Sequence, residues 1–594
     1  SLADGSAAAP SLSNTGDLNT GLLFPAADTV GVSVGGTQRL TVGTSGVTVN
    51  GDLATTTSGT SNFVAGVNAG NSITSGGNYN VTVGDEAGTA LTVGGSNTAV
   101  GFDSLKADTK GSHSVAVGVG ALYAQNFTSA TDAYNVAVGR SAGVAVTTGV
   151  RNTLIGGLSG AAMTTGDRNV AVGATSLDAC TTGQYNVAVG NDALTTLTSG
   201  ARNTAVGLQA GAAITTGSGN SFFGSDSGDA TTTGSNNTAV GYNALTANTT
   251  AGSNCALGAY ALTANTTGTS NCAVGSSLVT NTTGTKNTSV GNNALYYNTT
   301  GYDNNAFGLS TLQACTTGYN NSGFGGGGTL LAAALQSLTT GYRNCGFGNG
   351  AAGSTTTGAH NVAVGDAALY TNSTGSDNVA VGQGSLLANT TASLNVGVGY
   401  NAGIALTSTS NNTFIGANAG NNIVTGSNNI MLGSGARGSA TNVSELVIGY
   451  DAVGKGNATG LIYAPGGGAM YQATNASTWA QTSDVRLKKN IVNNDVGLAK
   501  INAIQVRNFD YKTAEEVESD GVLDSSQAVV KTGTQLGVIA QELELICPDC
   551  VTTESTGVKT VSVDNLHWHM LNAIKELSAT NDALAARLTA LEGA

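Results

Sequence analysis

A five-residue motif, Asn-x-x-x-Gly, recurs along most of the chain in an almost fixed register. One copy reads Asn135-Val136-Ala137-Val138-Gly139, and the closing glycine returns 22 times from Gly84 to Gly449. The spacing is 17 residues almost everywhere, 16 twice, 21 once and 23 once. Because one repeat is too short to enclose a core alone, successive copies must stack on one another. The repeat therefore predicts a solenoid.

Each repeat predicts one coil. Val-Ala-Val is a short strand, the glycine permits a corner, and a Thr-Thr-Gly turn returns the chain. We expect Asn169, Asn186 and Asn203 to align on one edge, about 4.8 Å apart, and to form a ladder of amides. We expect Val189 to be interior, so that Val189→Asp buries an unpaired charge. The cysteines one repeat apart, Cys255 and Cys272, are expected to stack as small buried hydrophobic residues.

Composition argues against several classes of function. Charged residues make up 9% of the chain and the net charge is −14, which argues against nucleic-acid binding. Hydrophobic residues make up 40%, too many for a disordered linker, yet no apolar run is long enough for membrane insertion. With seven cysteines and no recognisable export signal, we expect synthesis in a reducing host cytoplasm. The 116 residues from 479 onward carry 26 charged side chains, against 30 in the preceding 478, which places a domain change near residue 480.

The coils resemble the head repeats of trimeric autotransporter adhesins, which are left-handed parallel β-rolls wound as trimers, and similar coils of bacteriophage tail fibres. The opening stretch from Gly21 to Gly51 resembles the start of many phage fibre domains. The resemblance implies a mainly β protein, a homotrimeric parallel β-solenoid shaft with a small α+β C-terminal domain. The expected parts are an N-terminal β segment (1–60), the solenoid (61–450), a transition (451–482) and the C-terminal domain (483–594).

The C-terminal domain carries three blocks, Ser483-Asp484-Val485-Arg486-Leu487-Lys488, Leu536-Gly537-Val538-Ile539-Ala540-Gln541-Glu542 and Ala573-Ile574-Lys575-Glu576-Leu577. In this order they resemble the intramolecular chaperone auto-processing domain of endosialidase tailspikes and phage fibres. The resemblance implies trimer assembly followed by self-cleavage between Thr482 and Ser483. Ser483 is then the nucleophile and Lys488 the general base, with Asp484 and Arg486 supporting the loop.

The end of the chain predicts a trimeric coiled coil over residues 567–592. Apolar and register-setting residues follow strict 3-4 spacing at His567, Met570, Ile574, Leu577, Asn581, Leu584, Leu588 and Leu591. The alternative is an amphipathic helix that packs on its own domain.

Other motifs predict no further chemistry. Cys547-Pro548-Asp549-Cys550 is a lone CxxC without a second pair, and His567 and His569 face different ways on a helix, so we expect incidental thiols, no metal and no cofactor. The solenoid's few carboxylates do not form the recurring pairs that a glycosidase needs.

Two insertions interrupt the period, and we expect them to bulge as receptor-binding loops. They span about 122–134, with Tyr123, Phe127 and Tyr134, and about 329–342, with Tyr342. Functionless decoration is an equally open interpretation.

The leading hypothesis is a phage tail fibre on the virion, which contacts other tail proteins and a host surface receptor such as a glycan or an outer-membrane component. A bacterial trimeric adhesin and an ice-binding solenoid, suggested by the Thr-Thr column, are the alternatives.

Overall fold

The computed structural model describes residues 4–49, 57–328, 331–464, 470–472, 485–494, 496–520, 529, 531–554 and 557–593. The chain divides into two compact units, Ser1–Gln481 and Thr482–Ala594. No helix in the described part of the chain is long and apolar enough to cross a bilayer.

The first unit begins with a five-stranded antiparallel meander in sequence order. Its strands are β1 (Leu12–Asn14), β2 (Asp17–Leu23), β3 (Val30–Val34), β4 (Thr37–Gly43) and β5 (Gly46–Val49). Gly35 and Gly36 connect β3 and β4 with φ of +57° and +76°, the left-handed geometry that a two-residue hairpin turn requires. Leu23 is the only large apolar side chain that is fully buried among the described residues of this sheet.

A long parallel ladder follows, with one three-residue strand per coil. Among the described residues, 24 strands pair in exact register with their sequence neighbours, which confirms the solenoid. The strands are Phe63–Ala65, Val81–Val83, Thr98–Val100, Val115–Val117, Val136–Val138, Thr153–Ile155, Val170–Val172, Val187–Val189, Thr204–Val206, Ser221–Phe223, Thr238–Val240, Cys255–Leu257, Cys272–Val274, Thr288–Val290, Asn305–Phe307, Ser322–Phe324, Cys345–Phe347, Val362–Val364, Val379–Val381, Val396–Val398, Thr413–Ile415, Ile430–Leu432, Leu446–Ile448 and Gly460–Ile462. Met470–Gln472 adds one antiparallel strand at the end.

The core of each coil lies inside a single chain. The middle strand residue points inward, as Ala188 does, and Ala193, Leu194 and Leu197 complete the same coil, all fully buried. Val189 points outward and is only half-buried, so the expectation of an interior Val189 is wrong. The reason is the two-residue period of a strand: a narrow coil has room for the small alanine inside and leaves both valines outside.

Glycines form the first corner of every coil because a side chain has no space there. Gly190 has φ of +138°, and an added Cβ would lie 2.2 Å from the carbonyl oxygen of Gly207 in the next coil. Adjacent coils are therefore in backbone contact along the whole column of corner glycines.

A second set of glycines makes room for oversized core residues. Ten coils pair a small strand residue with a leucine six positions later, as Ala188 does with Leu194. Where Phe222 replaces the alanine, glycines stand at Gly211 and Gly228, and a Cβ on Gly228 would meet the Phe222 ring at 2.6 to 2.8 Å. Two other large residues at the strand-middle position also pack against two glycines: Leu154 against Gly143 and Gly160, and Phe414 against Gly403 and Gly420. The core volume per coil is thus conserved by compensating residues.

The buried asparagines form the predicted ladder. The backbone N–H of Asn186 donates to Asn169 Oδ1 at 2.9 Å, and that of Asn203 donates to Asn186 Oδ1 at 2.9 Å. Each amide nitrogen also donates to a turn carbonyl, as Asn186 Nδ2 does to Gly200 at 2.9 Å. These bonds satisfy polar groups that the stacked coils bury, and so confirm the alignment.

The second unit is a small α+β domain. Its elements are a 3-10 turn (Val485–Leu487), α1 (Leu498–Ala503), a strand (Arg507–Phe509), α2 (Ala514–Asp520), a strand (Gln535–Gly537), α3 (Ala540–Ile546), a 3-10 turn (Pro548–Cys550), a hairpin (Val551–Thr553 with Lys559–Val561) and α4 (Val563–Glu592). Gln535–Gly537 pairs antiparallel with Arg507–Phe509. A core of Leu543, Cys547 and Cys550 lies between α3 and the hairpin.

Candidate functional site

The segment that follows the cleavage signature is held by successive turns of α4. Both carboxylate oxygens of Glu576 accept backbone N–H groups at the start of α1, from Gly497 at 2.6 Å and Leu498 at 3.0 Å. One turn earlier, Asn572 Nδ2 donates to the carbonyl of Asn494 at 2.5 Å. Gly497 allows this close approach, because an added Cβ would lie 2.2 Å from the α4 backbone. Glu576, which sequence reasoning placed in a family block without a role, thus anchors α1.

The predicted cleavage residues lie only partly within the described chain. Thr482, Ser483 and Asp484 are outside the described residues, so the distance between the serine and its base is not measured. Arg486 and Lys488 are described, and both are exposed. A lysine acts as a general base at neutral pH only when burial lowers its pKa. The single chain does not provide that burial to Lys488.

The stripe of α4 predicted for a coiled coil is exposed in the single chain. His569 and Ala573 face the domain and are buried, whereas the exposed heptad positions run along another side of the helix. These positions include Met570, Ile574, Leu577, Leu584, Leu588 and Leu591, which are between 44% and 75% exposed. An apolar stripe of this length is typical of a helix that packs against copies of itself.

A cluster at the end of α3 was missed by sequence reasoning. The ligand atoms of Cys547, Asp549, Cys550 and His569 all lie within 4.8 Å of one another. Cys547 and Cys550 are disulfide-bonded in this structure. His569 Nε2 lies 2.8 Å from Asp549 Oδ2, and the hydrogen bond from His569 holds the pKa of that carboxyl below its usual value. The pair is therefore a disulfide rather than two free thiols in this structure, and the fold brings His569 of α4 next to a motif that lies before the hairpin.

The outward face of the solenoid strands carries a continuous apolar column. The third strand residue is Val, Ile, Leu or Phe in every coil from Val83 to Ile462. Several of these side chains, including Ile155, Phe223 and Leu257, remain more than one-third exposed. Isolated exposed apolar residues are ordinary, but an unbroken column along the whole ladder marks an interaction surface. The thiols of Cys255 and Cys272 are stacked neighbours on this face, at the first strand position; they are half-buried rather than buried and are not disulfide-bonded.

The first insertion is partly core rather than loop. Phe127 is 5% exposed, and Gln125 beside it is buried and bonds Asp108 at 2.7 Å and Asn135 at 2.8 Å. The expectation that Phe127 contacts a receptor is therefore wrong, because its ring fills space under the widened coil. Tyr123 and Tyr134 are 40% and 48% exposed and stay available at the surface.

Tyr342 lies in an aromatic stack that sequence reasoning did not foresee. Tyr302, Tyr319 and Tyr342 stack nearly parallel with centroids 4.9 Å apart, and His360 packs edge-on against Tyr342 at 5.1 Å. Tyr342 is thus part of the regular ladder, not of the bulge before it. Thr329 and Leu330, within that second insertion, are outside the described residues.

The threonine column is used within the solenoid. Thr164 Oγ1 donates to the carbonyl of Thr181 at 3.1 Å, and Thr181 Oγ1 donates to that of Thr198 at 3.1 Å. The first hydroxyl of each Thr-Thr pair is therefore bound to the next coil, which leaves only the second for the regular hydroxyl array of an ice-binding surface.

In the comparison with protein families, residues 483–552 match the chaperone of endosialidase family. No curated protein sequence matches the chain. The match covers the signature segment, α1 to α3 and the first hairpin strand of the second unit.

Proposed function

Residues 483–552 form an endosialidase-type chaperone domain that follows a parallel β-solenoid along the chain, and from this premise we propose that the chain is a homotrimeric phage tail fibre. This order of parts is that of a tail-fibre-like protein. Its shaft binds a host surface receptor, and its C-terminal domain assembles the trimer. The main observation in support is that two apolar surfaces remain exposed in the single chain: the outward strand column and the heptad stripe of α4. The chaperone family itself implies self-association into trimers.

The geometry of α4 supports three copies. The helix docks on its own domain through His569, Ala573 and Glu576, and this leaves the heptad positions free for two further chains. Asn581 lies among the leucines at a core position, where a polar residue fixes register and strand number. The strand column then allows the assembled shafts to bury Val, Ile, Leu and Phe against one another.

The assembly is tested by light scattering of the full chain after size-exclusion chromatography. We expect three chain masses for the wild type and for Ala586→Asp, which adds the same charge outside the heptad positions of α4. Leu584→Asp is expected to yield monomers, because the charge falls in the predicted helix interface. A monomeric wild type, or an unaffected Leu584→Asp trimer, contradicts the proposal.

We further propose that assembly activates cleavage between Thr482 and Ser483. Ser483 Oγ attacks the Thr482 carbonyl while Lys488 takes the hydroxyl proton. The Thr482–Ser483 peptide bond then breaks as Lys488 returns the proton to the leaving nitrogen of Ser483, and water hydrolyses the resulting ester. Because Lys488 is exposed in one chain, we expect a neighbouring chain to bury it in the trimer. Cleavage is therefore expected only in trimers.

Mass spectrometry of the purified chain tests this step. We expect fragments ending at Thr482 and beginning at Ser483. Ser483→Ala and Lys488→Met should abolish them, while the adjacent control Lys489→Met should retain them. If a fully assembled wild type stays intact, the chaperone assignment stands and the peptidase proposal falls.

For receptor binding we propose the exposed tyrosines Tyr123 and Tyr134 of the first insertion, with the half-buried Tyr342 of the aromatic stack that follows the second insertion. Tyr134 stacks on His113 at 5.0 Å, and His113 also bonds Asp132 at 3.1 Å, so the ring is held in place before binding. The test is adsorption of the purified trimer to host cells. Tyr123→Ala with Tyr134→Ala should reduce adsorption, whereas Tyr260→Ala on a regular coil should not. Unchanged adsorption of the double variant removes this part of the proposal.

A further inference from the structure

The cluster formed by Cys547, Asp549, Cys550 and His569 has the donor set of a zinc site. It offers two sulfur atoms, one imidazole nitrogen and one carboxylate oxygen, all within 4.8 Å of one another. Structural zinc takes four such ligands in a tetrahedron, with Zn–S near 2.3 Å and Zn–N near 2.0–2.1 Å. We propose that the reduced form of this cluster binds one Zn²⁺ ion and that this ion fastens α4 to the end of α3.

The backbone around the cysteine pair presents both sulfurs to one point. Cys547 ends α3, and the 3-10 turn Pro548–Cys550 follows, closed by the Cys550 N–H, which donates to the Cys547 carbonyl at 2.9 Å. Both cysteines are fully buried in the small core of the domain. A metal at this point would therefore be shielded on one side and reached from the side of Asp549, which is exposed.

His569 is oriented as a metal ligand. Its Nδ1 lies 3.2 Å from the carbonyl oxygen of Val496, and because a carbonyl only accepts, Nδ1 carries a hydrogen. The other ring nitrogen, Nε2, points at the cluster and lies 2.8 Å from Asp549 Oδ2, so that in the zinc form it can present its lone pair to the metal while Nδ1 keeps its hydrogen. A hydrogen bond from the far ring nitrogen to a carbonyl is the usual support for a zinc-bound histidine.

Lys500 is the one cation recorded beside these groups in the described residues. Its Nζ lies 3.4 Å from Asp549 Oδ1 and 3.5 Å from His569 Nε2. Since it pairs with Oδ1, the other carboxylate oxygen, Oδ2, remains for the metal. The Lys500 side chain is 27% exposed, so it can stay on Oδ1 and move outward from Nε2 when zinc binds.

The disulfide and the zinc form are two states of the same pair. A thiol reductant of two RSH molecules converts the disulfide into two thiols and is itself oxidised to RSSR. Zn²⁺ then replaces both thiol protons, which are released to solvent. The disulfide joins only residues of one turn, whereas zinc adds His569 and so joins α3 to the helix that carries the predicted trimer interface.

The test uses the full chain, expressed in a reducing cytoplasm and purified with a phosphine reductant and without chelators. We expect about one zinc per chain by elemental mass spectrometry, and seven titratable thiols after denaturation and zinc removal. Cobalt replacement should give the visible absorption of a tetrahedral site with thiolate ligands. A zinc-free chain that titrates only five thiols under these conditions overturns the proposal, because the pair is then a stable disulfide.

Two variants separate the ligand set from the fold. His569→Gln should weaken cobalt binding by more than the about 10–100-fold typical of losing an outer hydrogen-bond partner. Cys550→Ser removes one of the two thiolates and should lower the thiolate charge-transfer band to about half or less. Ala579→Gln, at an exposed position of the same helix outside both the cluster and the heptad positions, is the matched control and should bind as the wild type does. If the variants fold poorly, cobalt titration of the reduced wild type still decides: absence of a tetrahedral spectrum refutes the site.

Discussion

The compensation between Phe222 and the glycine six residues later gives a quantitative test of how the solenoid is packed. In Gly228→Leu, the new Cβ would lie 2.6 to 2.8 Å from three atoms of the Phe222 ring. Other coils hold leucine at this corner with the same backbone, such as Leu194 with φ of +52°, so the conflict comes from the ring and not from the backbone. Overpacking of a core at this level costs about 1–3 kcal/mol.

The converse change removes the ring. Phe222→Ala leaves a cavity and is expected to cost about 3–5 kcal/mol. In the double variant the leucine fills the space that the ring vacates. The coil then has the same alanine and leucine pairing that Ala188 and Leu194 form in another coil. We therefore expect it to be more stable than the sum of the single changes by at least about 2 kcal/mol, a coupling typical of residues in contact.

Because solenoid stability is local, hydrogen exchange by mass spectrometry over residues 207–245 is the appropriate assay. A loss of about 2 kcal/mol corresponds to about 30-fold faster exchange in these coils. Gly120→Leu, followed over its own coils at residues 101–139, is the control, since Gly120 has φ of +66° but no atom closer than 3.8 Å to an added Cβ. If the increase in exchange rate of the double variant equals the product of the increases in the two single variants, the glycines do not compensate for the ring and the packing argument is refuted.

Other residues of the solenoid allow three further tests. Ala188→Asp buries a charge in the core and should unfold its coil at a cost above about 4 kcal/mol, measured by hydrogen exchange. Val189→Asp places the charge on the outward face, so the coil should stay folded and only the trimer should be disrupted, measured by light scattering. Cys315→Asn should raise the melting temperature, with a gain of about 1 kcal/mol, because Asn298 Oδ1 in the coil below is buried without a hydrogen-bond partner and would gain one; an unchanged or lower melting temperature argues against it. Burial raises the pKa of Asp108 above its usual 3.8, so the contribution of Asp108 to stability is greatest below pH 3.8 and declines as the pH rises through the folded-state pKa. The difference in unfolding free energy between wild type and Asp108→Asn should therefore change over this pH range. A difference that does not depend on pH contradicts the prediction.

The sequence alone determined the solenoid, its period and its asparagine ladder. A 17-residue repeat leaves stacking as the only way to bury apolar groups, and stacking places equivalent residues above one another. It also located the chaperone domain, because the signature around Ser483 and the blocks after it are local strings of residues. Both features depend on spacing along the chain, which a sequence displays directly.

The tertiary structure decided which side of each element faces inward. Three-residue strands are too short for their pattern to distinguish the two faces, so the sequence predicts Val189 in the core although the smaller Ala188 occupies it. The sequence likewise predicts Phe127 in a surface loop, although its ring is buried in the widened coil.

Contacts between residues distant in sequence were likewise decided only by the fold. The pairing of Phe222 with Gly211 and Gly228 depends on the volume that three coils share, and the approach of His569 to Cys547 depends on how α4 docks against α3. Neither leaves a periodic signal, because each arises once from packing in three dimensions and not from the repeat.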